Sequence, residues 1–265
     1  MRVFAFVIGL LAAPVSAHEF WLEPLAYQVD TNGKLSAHVV NGQDFDGTKL
    51  PFVPQRFAHF QVFADGKSAK VTGRVGDLPA LGQDPLAEGL NVVAYQARNA
   101  TVDYETWEKF DKFLKHKDLG NQLATHEALG LPLTGFKEVY SRYSKTLIGV
   151  GSGAGSDKRV GLVTELVALT NPYTDDLSGG MQVQLFYNRD VRANEQVEVF
   201  EKSPSGAVKI TTLRTNGQGI ATVPVKSGHS YMLDAVVLRK PAARLAADTG
   251  AVYETLWANL TFMAP

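Results

Sequence analysis

From Gly179 onward, short alternating runs are cut by turn signals at close intervals, and that spacing leaves room for strands and little else. The runs are Met181 to Tyr187, Gln196 to Glu201, Thr211 to Arg214, Ile220 to Val225, Tyr231 to Leu238 and Trp257 to Met263. Thr215-Asn216-Gly217-Gln218-Gly219 and Ser227-Gly228 supply turns, and 240–247 reads as a loop or a short helix. The pattern predicts an Ig-like β-sandwich over 177–265.

The first part reads as β as well. Lys34 to Val40, Arg56 to Phe63, Gly89 to Ala97 and Val160 to Leu169 are strand runs. Asp65-Gly66-Lys67 turns the second of these into a hairpin with Ser68 to Val75. Tyr140 to Val150 is rich in β-branched and aromatic residues and reads as a strand; helix is the alternative, because Glu138 and Arg142 stand four apart. One stretch differs. From Asp103 to His116, the residues Trp107, Phe110, Phe113 and Leu114 make one helical stripe, with Asp103 as N-cap and Lys115, His116 and Lys117 at the far end. A shorter helix is expected over 121–129. The expected chain is therefore mainly β. It has two sandwich-like domains, 18–176 and 177–265, and a small helical insertion near 103–130.

Residues 1–17 read as a signal peptide. Arg2 precedes an apolar run from Val3 to Ala13, and Val15-Ser16-Ala17 is a small-x-small exit. Later in the sequence no apolar run approaches the ~20 residues that span a bilayer. A periplasmic or secreted protein is expected. The chain has no cysteine, which excludes disulfides, thiolate metal sites and a lipid-modified cysteine. The formal net charge is −1 and gives no basic excess for nucleic acid.

Cleavage after Ala17 would place His18 first, with an α-amine and an imidazole able to close one chelate ring on a transition metal. Against this, some residue must follow every cleavage site. Of the six histidines, His38 and His229 are the candidates to join His18 as metal ligands. His59 fits an edge strand, and His116 and His126 are expected to face solvent from the insertion. No zincin motif, phosphate loop or Gly-x-Ser-x-Gly elbow is present, so no enzyme is expected. Glu138, Arg142, Lys145 and Glu165 are charges inside apolar runs and suggest a buried ion network. The three tryptophans are assigned to packing.

Five motifs in order carry a resemblance. They are His18-Glu19-Phe20-Trp21-Leu22-Glu23-Pro24, then 138–145 (Glu-Val-Tyr-Ser-Arg-Tyr-Ser-Lys), then Glu165-Leu166-Val167 ahead of Asn171-Pro172-Tyr173. Arg214-Thr215-Asn216-Gly217-Gln218-Gly219 and Leu256-Trp257-Ala258-Asn259-Leu260-Thr261-Phe262 complete the set. With them the chain resembles the DUF4198 family, also described as NikM-like or as nickel/cobalt-uptake periplasmic components. That resemblance implies a divalent metal (nickel, cobalt or copper) as cargo and a membrane uptake complex as partner, with His18 at the family's histidine start. The C-terminal part is similar to carboxypeptidase-regulatory-like modules, which implies binding or spacing. Two other readings stand beside a metal-binding accessory protein. One is a non-catalytic interaction or scaffold module. The other, ranked last, is a copper oxidase or polysaccharide-cleaving enzyme using an N-terminal histidine.

Overall fold

The computed structural model describes residues 18–265, so the expected signal segment lies outside the described residues. In chain order the first strands are β1 (Glu19–Pro24), β2 (Gln28–Val29), β3 (Leu35–Gln43), β4 (Asp46–Leu50), β5 (Phe57–Ala64), β6 (Lys67–Lys70), β7 (Leu81–Gln83), β8 (Gly89–Ala97) and β9 (Ala100–Tyr104). Helices α1 (Trp107–His116) and α2 (Leu123–Ala128) follow. Then come β10 (Phe136–Val150), β11 (Thr164–Ala168), β12 (Met181–Tyr187), β13 (Asp190–Val191), β14 (Gln196–Lys202), β15 (Val208–Arg214), β16 (Ile220–Val223) and β17 (Ser230–Arg239). Helix α3 (Ala243–Thr249) and β18 (Ala251–Met263) end the chain. The protein is mainly β, as the turn spacing requires.

Strands β10 and β18 are the longest, at 15 and 13 residues, and both are buried along most of their length. Such strands belong inside a sheet covered on both faces. They pair in parallel, with Ser144 opposite Asn259, at the middle of a ten-stranded sheet ordered β15-β14-β17-β18-β10-β8-β5-β6, with β2 and β9 also paired to β10. This pairing carries one continuous sheet across the expected boundary at 176/177.

The two faces follow from strand periodicity. Val92, Leu147, Val199 and Leu233 pack on one face against Leu166, Val183 and Val223, from the small sheet of β11, β12, β13 and β16. Their chain neighbours Val93, Ile148, Phe200 and Met232 face the other way. There they meet Phe20, Leu22, Val39 and Trp21, from the small sheet of β1, β3, β4 and β7. Helix α1 lies on this second face too, its stripe of Trp107, Phe110, Phe113 and Leu114 set against Val236, Tyr253 and Trp257.

Periodicity also sorts the expected ion network. Lys145 and Glu165 are on the first face, where Lys145 Nζ donates to Glu165 (3.0 Å) and to both oxygens of Asp157 (2.8 and 2.9 Å). Glu138 and Arg142 occupy even positions of β10 and face the other side. The Glu138 carboxylate accepts from Tyr104 Oη (2.9 Å) and Thr255 Oγ1, and burial pushes its pKa up to about 7. The network is thus Lys145, Asp157 and Glu165, with Glu138 and Arg142 elsewhere.

Two local expectations change, and the loop-or-helix reading of 240–247 resolves to a helix. Helix α1 begins at Trp107 after Thr106, because residues 100–104 pair with β10 as β9 and bring Tyr104 under Phe110 and Phe136. His126 is fully buried rather than solvent-facing. Its Nε2–H donates to Pro132 O (2.9 Å), so Nδ1 accepts from Tyr253 Oη (3.0 Å), and the ring packs against Trp107. Residues 243–249 form α3, stopped by Gly250 at φ 72° in the left-handed region.

Replacing Lys145 with Met would leave Asp157 and Glu165 buried and unpaired. Urea unfolding of Lys145→Met should show a loss of about 3–5 kcal/mol. A double variant adding Glu165→Gln should recover part of it, because Glu165 Oε2 accepts no hydrogen bond whereas both Asp157 oxygens accept from backbone amides.

Candidate functional site

Strand β1 is the edge of its sheet, and its outer edge is held by side chains instead of a neighbouring strand. Arg142 Nη2 donates to His18 O (2.9 Å), Ser144 Oγ to Phe20 O (2.8 Å) and Thr261 Oγ1 to Leu22 O (2.7 Å). Alternate carbonyls of the strand are satisfied in this way. Arg142 lies over the Tyr140 ring, 4.3 Å from its centroid, which leaves its guanidinium poised at residue 18. His18 itself is exposed.

Glu19 turns inward, where the start of β1 meets the end of α1. Lys117 closes α1 and places its ammonium among three buried carboxylates: Glu19 (3.5 Å), Asp234 (3.1 Å) and Glu198. Its other neighbour is the Trp257 ring, 4.7 Å to the centroid. A cation at a helix C-terminus is favoured by the helix dipole, and here it also neutralises the acids beneath. His116, in the last turn of α1 and half exposed, donates from Nε2–H to Glu198 Oε1 (2.6 Å). Gln196 Nε2 fixes the end of the helix by donating to His116 O (2.8 Å).

Burial is the largest influence on these acids. It pushes Glu19 up to about 7 against the pull of Lys117, and Glu19 Oε2 has no hydrogen-bond partner among the described residues. Asp234 is pushed up by the same cause. For Glu198, burial is outweighed by the hydrogen bond from His116 and the charge of Lys117, and its pKa falls below the usual range. The hydrogen bond to Glu198 in turn raises His116.

His38 and His229 lie away from this corner. His38 is opposite Glu23, five positions along β1 from His18, or roughly 16 Å at the ordinary strand rise. It lines a separate cleft of about 490 Å³ with Glu23, Lys49 and Lys202, and burial lowers its pKa. His229 precedes β17, and its Nδ1 is 2.9 Å from Glu201 Oε1, three positions along β14 from Glu198. The structure therefore does not bring His38 or His229 to His18. No group of three His, Asp or Glu side chains among the described residues is arranged to hold a metal ion. The imidazole that joins the Lys117 cluster is His116, through Glu198. Sequence reading placed it at an exposed helix tip, and its link to Glu198, 82 residues away, has no local signature.

Between about pH 4.5 and about 7, folded Glu19 keeps a proton that the unfolded chain has lost, so its contribution to stability falls as pH rises through that window. Asp234 and His116, both raised, act in the same direction. Glu198, lowered, loses its contribution only as pH falls below its unfolded value of 4.5. Urea melts should show this cluster's share of the unfolding free energy declining from about pH 5 to about pH 8, reinforced by Glu138 and opposed by His38 and His59, whose pKa values are lowered. Glu19→Gln should flatten that decline and be more stable than the parent at the upper end by about 1–3 kcal/mol.

No curated protein matches the chain. A family model described as a domain of unknown function (DUF4198) matches residues 15–239, from the start of β1 to the end of β17. The match covers most of the chain, and the protein belongs to the DUF4198 family.

Proposed function

We propose that this chain is an exported metal-binding accessory protein of the cell envelope, with its metal site built on His18. The observation that carries the reading is the His116–Glu198 hydrogen bond in the corner that residue 18 enters. A metal-binding histidine commonly gives its second ring nitrogen to a carboxylate, which fixes the tautomer and aims the other nitrogen outward. With Nε2–H on Glu198, His116 has its lone pair on Nδ1. Cleavage after Ala17 would add the α-amine and imidazole of His18, and the three nitrogens together suit Cu²⁺ or Ni²⁺. The acids around Lys117 hold local negative charge beneath an incoming cation.

The NikM-like resemblance supports nickel or cobalt as cargo, handed on to a membrane uptake complex from the periplasm. In this reading the strands of 177–265 act as an Ig-like or carboxypeptidase-regulatory-like support, and the protein performs no catalysis.

Protein beginning at His18 should bind Cu²⁺ or Ni²⁺ in a calorimetric titration. One alanine added before His18, or His116→Ala, should weaken binding about tenfold or more. Affinity should fall from about pH 8 to about pH 5 as protons compete for the amine and imidazoles. Affinity that is unchanged by both variants and flat with pH would overturn the reading.

A further inference from the structure

A second site lies on the other side of the helical insertion. The loops around α2 face the corner where β17 runs through α3 into β18, and a groove of about 920 Å³ opens between them. That is the size of a small-molecule site. Leu119, Leu131, Leu238 and Val252 contribute apolar walls. Leu129 and Val191 line it as well, and they are 57% and 40% exposed, so the groove offers aliphatic surface to a ligand.

The charges on the lining do not balance locally. Arg192 pairs with Glu195 (2.6 Å), Arg239 with Glu254 (2.7 Å) and Asp118 with Arg214. Lys240 lines the groove and forms no ion pair among the described residues. Arg192 adds a second unsatisfied donor set. Its side chain is 10% exposed, Nη2 donates to Glu195 and to Val236 O (2.9 Å), and Nη1 has no partner among the described residues. Glu195 meets one side of this guanidinium, and leaving the buried Nη1 without an acceptor is costly. The groove thus combines aliphatic walls with one cation in excess. That combination complements a molecule with an apolar body and one negative end.

We propose that this groove binds an amphipathic monocarboxylate, with its carboxylate on Lys240 at the Arg192 side and its alkyl or aryl body between the leucines of the insertion and the β17–β18 corner. This site is separate from the His18 corner and needs no metal.

The test is a fluorescence titration of the protein starting at His18 with a dansyl-labelled undecanoate. Saturable enhancement with one site is expected. Dodecanoate should displace the probe, while dodecanol and dodecylammonium should do so poorly. Lys240→Ala should weaken binding about tenfold, the loss of one charge-assisted contact. Leu129→Asp should abolish it. Both positions are exposed, and a circular dichroism melt will show whether the variants keep the fold. Absence of saturable binding, binding unaffected by either variant, or equal displacement by dodecanol would each overturn the proposal.

Discussion

The parallel pairing of β10 with β18 is the constraint on which the remaining structure is hung. Parallel strands need a long crossover, and here nearly the whole C-terminal half of the chain lies between them. A parallel pair must also be covered on both sides, so the chain supplies two small sheets and a helix. Every side chain on β10 is then committed to one face or the other. The same periodicity separates the charged residues of β10. Lys145 is odd and meets Asp157 and Glu165 under β11, whereas Arg142 and Glu138 are even and look toward β1 and α1.

The two lysine clusters answer one problem differently. Buried carboxylates need a cation or hydrogen-bond donors, because desolvation disfavours the charged form. Around Lys145, backbone amides share the load: Lys158 N and Ala168 N donate to Asp157, and Val160 N donates to Glu165. Around Lys117 a single ammonium serves three carboxylates, and the deficit shows in the raised Glu19 and Asp234. The first cluster has donors at both Asp157 oxygens and at Glu165 Oε1, with Glu165 Oε2 alone left without a partner among the described residues, and it reads as structural. The second is left unsatisfied beside an exposed His18 and a half-exposed His116. Unsatisfied electrostatics near a surface is the condition under which a further ion or proton changes the energy most.

What the sequence made legible was local. Gly89 to Ala97 is a strand with the expected bounds, and Trp107, Phe110, Phe113 and Leu114 form the buried stripe of α1. Periodicity finds such elements because both ends of the argument lie in one segment. It missed β1, because Phe20, Trp21 and Leu22 are all buried and no alternation remains to be read. It missed the burial of His126, which depends on Tyr253 arriving from 127 residues away. The Lys117 cluster joins residues 81, 98 and 117 positions apart, a pairing that only the sheet order can create. Of the candidate histidines, His38 is offered by its place in the first strand run after His18. The antiparallel register of β1 on β3 sends it to the opposite end of the strand.

Order at residue 18 matters for what an N-terminal chelate could achieve. A terminus normally frays, and a ligand that must first be ordered loses affinity to conformational entropy. Here the His18 carbonyl is bonded to Arg142, Phe20 and Leu22 are bonded in turn, and Glu19 faces Lys117. The carbonyl of residue 18 is thereby tied to the central sheet through Arg142. Helix α1 does the same for His116, whose position is fixed by Gln196 from below and Glu198 from the side. Residue 18 and His116 are therefore each tied to the strands of the central sheet, one through Arg142 of β10 and the other through Glu198 of β14. Such preorganisation favours a defined coordination geometry over a loose, multi-mode one.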